Sequence, residues 1–320
     1  MLIPMPQTRE EWLDIRTRYV GASEVAALFG VQAGYSLDRF ALHHVKAGNA
    51  PPPEVGGPRI RWGQRLEEIV ALAVEEEHGY PVRRGRYAIA DDCPGMAASL
   101  DFEIDVDPSG MFEGPGVLET KNVDWMIHKR SWTDGEPPLP ILLQLQHQLG
   151  CTGYRWGAVA CLIGGNDLRL YPYAAKPSLI ADIKRRVTQF WSDIADGREP
   201  KPSDSDSAAV VLRNLYAETV EFQADLRADN ELPDICGRLL DAGERRRAAE
   251  KDEAQAKNEL MAKLGPNLRA QASGYWINVA VTPAKPEAEI TPEMVGKKLP
   301  GRKEARRYSV KPQEQQEKAA

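Results

Sequence analysis

Apolar positions recur at helical spacing in some stretches of the chain and run or alternate as strands in others. In "RIRWGQRLEEIVALAVEEEHG", Leu66, Ile69, Val70, Ala73 and Val74 form one stripe. That spacing predicts an amphipathic helix stopped by Gly79. "REEWLDIRTRYVGASEVAALFG" starts as a helix, breaks near Gly21 and restarts with Ser23 as N-cap, continuing through Ala26, Ala27 and Leu28. "AGNAPPPEVGGP" is a loop. "YAIA", "MAASLDFEID" and "GVLETKNV", parted by turn-rich pieces such as "DVDPSGMFEGPG", predict adjacent antiparallel strands. "ILLQLQHQLGCTG" predicts a helix with Leu142, Leu145 and Leu149 on one side. "YRWGAVACLIGG" reads as a buried strand that pairs with "DLRLYPY" across a "GGN" turn. "PSLIADIKRRVTQFWSDIADG" is an amphipathic helix from Pro177 to Gly197.

The polar linker "REPKPSDSDS" marks a domain boundary, giving a first domain over 1–200 and an extension over 201–310. The extension holds a long charged helix from Leu232 to Leu264, ended at Gly265, with i,i+4 pairs Glu253–Lys257 and Glu259–Lys263. "GYWINVAVTP" adds a short β element, and residues 311–320 have the composition of a disordered tail. No internal repeat is present. The order of elements predicts an α/β fold, a central mixed sheet flanked by helices.

Composition narrows the class. The chain has 320 residues with 42% hydrophobic content, enough for a substantial core. No apolar run approaches a membrane span, and the N-terminus lacks a signal-peptide pattern, so a cytosolic protein is expected. Cys93, Cys151, Cys161 and Cys236 fit no zinc or iron–sulfur spacing, so they are expected to be reduced, buried thiols. A net charge of −6 argues against a protein that coats nucleic acid non-specifically. It leaves room for a nuclease with acidic metal ligands and local basic clusters, such as Arg59 to Arg65 and Arg83 to Arg86.

The acidic residues carry the chemistry. Glu119 and Lys121 stand two apart on a predicted strand and so share a face. Asp101 ends the preceding strand, and a tight hairpin would bring it to Glu119. Two neighbouring carboxylates repel unless a cation sits between them, and Mg²⁺ favours oxygen ligands. The ordinary alternatives are an incidental ion pair on a solvated face and a turn-forming Asp. Glu67 lies at the edge of its helix's apolar stripe and can reach inward or face water. Gln144 and Gln146 sit among leucines, where an amide needs a partner. His43, His44 and His147 have no metal-ligand spacing and read as structural or surface residues.

Four pieces, in order over residues 9 to 200, resemble the YqaJ-type viral recombinases. These are phage alkaline exonucleases of the lambda-exonuclease kind, within the PD-(D/E)xK nuclease superfamily. "WLDIRTRYVGASEV" resembles the W-x-x-x-R…(A/G)-S-(E/D)-V signature, and "RWGQRLEE" the W-G-x-x-x-E helix. "ASLDFE…GVLETK" resembles the S-x-D-G…L-E-x-K hairpin, and "LLQLQHQLGCTGYRWGAVACLIGG" the Q-x-Q-x-x-L-x-x-T-G helix and following strand. The chain departs from the pattern at Phe102, where the family has Gly, and at Ala22.

The resemblance implies a restriction-endonuclease-like core and Mg²⁺ or Mn²⁺ as cofactor, with two ions. Asp101, Glu119 and the Thr120 backbone carbonyl would be metal ligands, with Glu67 supporting the metals. Lys121 would activate the attacking water, which Gln144 would help hold. Arg16 and Ser23 would bind a DNA 5′ phosphate, which also suits Ser23 as a helix opener. The implied activity is a 5′→3′ exonuclease on linear double-stranded DNA, leaving 3′ strands for a phage single-strand annealing protein. The implied assembly is a ring trimer in a bacterial host cytosol. An endonuclease of the same fold and a non-catalytic DNA-binding scaffold are the rivals.

Overall fold

A computed structural model of the chain describes residues 1–31, 36–52, 57–218, 224–272 and 275–279. The chain divides at residues 219/220 into two compact units. The first opens with β1 (Leu2–Ile3), α1 (Arg9–Arg18), a 3-10 turn (Ala22–Glu24), α2 (Val25–Leu28), α3 (Arg39–Lys46) and α4 (Pro58–His78). Then come β2 (Val82–Arg84), β3 (Tyr87–Ile89), β4 (Ala97–Ser99), β5 (Phe102–Ile104) and β6 (Gly116–Val123). It closes with α5 (Trp125–Ser131), α6 (Leu139–Thr152), β7 (Trp156–Ile163), β8 (Asp167–Ala174), α7 (Pro177–Ala195) and α8 (Asp206–Leu215).

The main sheet has the order β2–β5–β6–β7–β8. β6 and β7 are parallel and the other neighbours antiparallel, so the sheet is mixed, as the sequence predicts. Parallel neighbours need a crossover, which α5 and α6 supply. Alternation along β6 then sends side chains to two different layers. Val117 packs with Val159, Cys161 and Ile163 of β7 against Leu145 and Leu149 of α6 and Val187 of α7. Leu118 packs with Trp156 and Ala158 against Val70, Ala71 and Val74 of α4. Each such fully buried aliphatic side chain contributes ~1.5–3 kcal/mol, so both faces anchor the strand that carries Glu119.

The predicted strand "MAASLDFEID" is two strands in two sheets. β4 joins β1 and β3 in a three-stranded sheet, whereas β5 belongs to the main sheet. Leu100 and Asp101 form the bend between them. Opposite, the chain bends between β2 and β3 at Gly85, whose N–H donates to the Asp101 carbonyl at 3.1 Å. A Cβ on Gly85 would collide with the Leu100 carbonyl, so only glycine lets the two bends close on each other. That closure fixes Asp101 at the rim of the main sheet.

Two stripes differ from expectation. α4 ends at Gly79 with φ 72°, as predicted, but Ile69 is 56% exposed and Ala71 is buried in its place. α6 buries Leu143, Leu145 and Leu149 together with Gln146, His147 and Gln148, while Leu142 is only half-buried. A helix wedged between the sheet and other helices has no single apolar side, so a one-stripe reading misplaces its contacts. Helices α3, α5 and α8 and strands β1 and β2 lie where no element was expected. The first unit also runs past residue 200, because α8 seats Ala208 and Val211 against Phe40, Ala41 and Val45 of α3.

The second unit contains α9 (Leu232–Leu264) and a hairpin of β9 (Arg269–Ala272) with β10 (Tyr275–Asn278), the C-terminal helix and short β element that were anticipated. α9 buries only Leu264 and carries i,i+4 ion pairs, including Lys257–Glu253 at 2.7 Å. The predicted tail over 311–320 lies outside the described residues. Among the described residues no helix is long and apolar enough to cross a membrane. Cys93, Cys151 and Cys161 are buried free thiols as expected, whereas Cys236, on the charged helix α9, is only half-buried.

Candidate active site

The site forms where β5 stops and β6 continues. β5 pairs with β6 only from Ile104↔Gly116 to Phe102↔Leu118. The edge of β6 beyond Leu118 faces Asp101 instead of a strand. There the Thr120 N–H donates to Asp101 Oδ2 at 2.9 Å, and the Thr120 hydroxyl donates to the same oxygen at 3.1 Å. The N–H and C=O of a strand residue point to one edge, so the Thr120 carbonyl is directed to this rim as well.

Glu119 projects toward α6 and is 1% exposed. Lys121 Nζ, on the same face, donates to Glu119 Oε1. Gln144 Nε2 donates to Oε1 at 2.7 Å, and Gln148 Nε2 to Oε2 at 2.6 Å. Gln148 was not anticipated. The signal was present, since residues 144 and 148 stand one helical turn apart and share a face. Gln146 points elsewhere, with Nε2 donating to the Ala174 carbonyl and Oε1 accepting from the Lys176 N–H. His147 is buried and bonded to the Ala97 carbonyl, and burial lowers its imidazole to about 4, which leaves it neutral and structural.

The carboxylates strain against one another. Burial pushes the Asp101 carboxyl up to about 7, with the neighbouring Glu119 charge adding to the rise and Lys121 opposing it. Glu67, on α4, is also raised, by burial and then by Glu119. So the structure brings Asp101, Glu119, Thr120, Lys121 and Gln144 together and sets Glu67 in electrostatic range. Among the described residues no three His, Cys, Asp or Glu side chains converge as a metal cage. A cation here would rest on Asp101, Glu119 and the Thr120 carbonyl, with Glu67 acting at longer range. Two neighbouring carboxylates and a backbone carbonyl are the all-oxygen donor set of a hard divalent ion, so the residues fit one.

Arg16 and Ser23 lie on α1 and the 3-10 turn. Ser23 is exposed inside the turn and is not an N-cap. Glu24 does the capping, its Oε2 accepting the Gly21 N–H at 2.8 Å. The local chain tightens to a 3-10 turn, and the longer Glu24 carboxylate reaches back where a Ser hydroxyl was expected. Arg16 stacks 4.5 Å from the Trp12 ring centroid and donates from Nη2 to Glu24 Oε1 at 2.7 Å. That bond uses one of its five N–H donors. Lys46, in turn, pairs with Glu24 Oε2 at 2.7 Å and donates to the carbonyls of Arg16 and Tyr19. α1 docks near the acidic rim through Trp12 Nε1, which donates to Ser99 Oγ at 3.3 Å, two residues before Asp101. No hydrogen bond or ion pair among the described residues joins Arg16 or Ser23 to the acidic group.

The raised Asp101 carboxyl has a consequence for stability. Below about pH 4 it is protonated in both folded and unfolded chains. Between about 4 and 7 the folded chain keeps a proton that the unfolded chain has released, so this group's contribution to stability falls as pH rises through that window. The melting temperature of metal-free protein in EDTA is therefore expected to fall from pH 5 to pH 8, and less steeply in Asp101→Asn. Parallel slopes for the two proteins would contradict the burial of this charge.

The sequence profile of the YqaJ-like viral recombinase domain matches residues 11–155. The Bacillus subtilis (strain 168) protein YqaJ is 30% identical over 228 residues, which is 70% of this chain and 68% of that protein. Among solved structures, LHK-Exo, an alkaline exonuclease from Laribacter hongkongensis, aligns with TM-score 0.48 at 22% identity, covering 59% of this chain and 94% of its own. The same protein in complex with dAMP aligns with TM-score 0.48 at 23% identity over the same shares.

Proposed function

This chain belongs to the YqaJ-like viral recombinase family, and we propose that it is a metal-dependent deoxyribonuclease: a Mg²⁺-dependent 5′→3′ exonuclease that digests linear double-stranded DNA and leaves 3′ single strands for recombination. The observation that carries this reading is the meeting of Asp101, Glu119 and Lys121 at the rim where β6 outruns β5. The rim is a strand edge, since β5 pairs with β6 only as far as Leu118. Two concavities, of about 460 and 370 Å³, are lined by other residues, among them His78 and Tyr80 in one and Glu113 and Tyr154 in the other.

Asp101, Glu119 and the Thr120 carbonyl would hold the divalent cation, which supplies Lewis acidity at the scissile phosphate and a more acidic water at neutral pH. Lys121 and Gln144 converge on one oxygen of Glu119 and so stand where they can orient an attacking water and offset phosphate charge. Glu67 adds negative field from α4 and draws cations toward the rim. Arg16, held by Glu24 and Trp12, offers its remaining donors to the terminal 5′ phosphate, and exposed Ser23 offers its hydroxyl. A ring-shaped homo-oligomer and a single-strand annealing partner complete the proposal. A ring would retain the duplex by topology, which suits a net charge of −6.

Digestion of linear duplex in Mg²⁺ tests the reading, using 5′-phosphate ends, 5′-hydroxyl ends and a covalently closed circle. The expected result is preference for the phosphorylated ends and an intact circle. Rapid cutting of the circle would convert the reading to an endonuclease of the same fold. Arg16→Ala and Ser23→Ala are each expected to narrow the phosphate-to-hydroxyl rate ratio by about tenfold, the loss of one charge-assisted contact. An unchanged ratio in both would remove these residues from end recognition.

A further inference from the structure

Gln148 is 0% exposed and lies in the middle of α6. Its Nε2 donates to Glu119 Oε2 at 2.6 Å, while its Oε1 is buried with no hydrogen-bond partner among the described residues. The amide orientation is fixed by its neighbour. An ionised carboxylate only accepts, so turning the amide over would set oxygen against oxygen. A buried acceptor left unpaired costs free energy. At a position flanked by Leu145 and Leu149, an aliphatic side chain would avoid that cost. The neighbouring Gln146 has both amide atoms satisfied by backbone and ties the start of α7 to α6. The Gln148 side chain makes no such tie; among the described residues its one hydrogen bond goes to the carboxylate of the site.

We propose that Gln148 is a positioning residue that locks the orientation of the Glu119 carboxylate. Lys121 and Gln144 both reach Oε1, so they leave the carboxylate free to pivot about that oxygen. Among the described residues, Gln148 is the side chain that holds Oε2. Together the three donors fix the plane of the group. Three of about four lone-pair sites are then occupied by protein donors, which leaves about one for a cation. The inference rests on the nuclease reading, because the carboxylate needs a fixed plane only if it must meet a cation and a phosphate together.

The test compares wild type with Gln148→Met, which fills the same space without the amide, and with Gln148→Asn, which keeps an amide but draws it one methylene short of Glu119. Gln146→Met serves as the structural control. Three quantities are measured for each: Mn²⁺ affinity by calorimetry, the melting temperature in EDTA, and kcat and KM for duplex digestion. Loss of an outer hydrogen-bond partner of a metal ligand typically weakens metal affinity about 10–100-fold. That loss is expected in both Gln148 variants, with kcat lowered by a similar factor and KM for duplex within about twofold, while Gln148→Met melts no lower than wild type. Gln146→Met is expected to melt lower and to keep its Mn²⁺ affinity.

Wild-type Mn²⁺ affinity and kcat in both Gln148 variants would overturn the positioning role and leave the nuclease reading intact. The role also falls if losses in Gln148→Met disappear once its lower melting temperature is matched by cooling, since that is the mark of a purely structural side chain. A wild-type protein that neither binds Mn²⁺ nor digests DNA would overturn both readings.

Discussion

Replacing Glu119 by Gln is expected to lower duplex cleavage by about 10²–10³-fold or more, the range lost when one preorganised electrostatic group leaves a hydrolytic site. The reason is local. The Glu119 carboxylate accepts from Lys121, Gln144 and Gln148 at once. A Gln at this position can present one oxygen to those donors, and its amide nitrogen must then face another donor. The substitution therefore removes a negative charge and scrambles the orientation of what remains. Duplex affinity is expected to stay within a few-fold, because the exposed basic residues of α4 and β2 are untouched. Single-turnover cleavage and fluorescence anisotropy separate the two effects. Asp101→Asn and Lys121→Met are expected to behave alike, and cleavage within tenfold of wild type in all three would remove the site from the chemistry.

The second large effect is on folding. Lys46→Met is expected to destabilise the first unit by about 3–5 kcal/mol, the cost of stranding a buried charge. Glu24 is 8% exposed, and burial alone would raise its carboxyl, but Lys46 and Arg16 outweigh burial and hold it below its usual value. For Lys46 itself burial dominates and lowers the ammonium, with Glu24 only partly restoring it. Glu24 keeps Arg16 as a second partner when Lys46 is removed, but loses the buried ammonium that holds its Oε2. Removing Lys46 also leaves the Arg16 and Tyr19 carbonyls without their donor. Urea unfolding measures the loss, and a change under about 1 kcal/mol would mean that water replaces the ammonium. Glu24→Gln and Lys46→Met combined are expected to be less harmful than the sum of the two, because the pair is then removed whole.

The placement of the site residues was legible where it is written in local spacing. The E-x-K pair declares itself because alternation on a strand places positions 119 and 121 on one face whatever the rest of the chain does. Gly79 stopped α4 as read, because a left-handed C-cap is a local demand. What stayed hidden depends on packing between distant segments. The split of "MAASLDFEID" follows from Gly85 approaching Leu100, a contact across a bent pair of chains that one strand's pattern does not carry. Ile69 faces outward and Ala71 inward because α4 packs Val70, Ala71 and Val74 against Trp156 and Ala158 of β7. Ser23 lost the cap to Glu24 because Lys46, more than twenty positions away, neutralises that carboxylate in place. Gln148 was masked by its own surroundings: among three glutamines in five residues, only the contacts separate the two that serve Glu119 from the one that serves the backbone.

The most direct test is a crystal of the protein grown with Mn²⁺ and examined by anomalous scattering. The expected result is a peak bonded to Asp101, Glu119 and the Thr120 carbonyl, lost in Glu119→Gln. A peak elsewhere, or none at saturating Mn²⁺, would contradict the assignment of this rim as the site of phosphodiester hydrolysis.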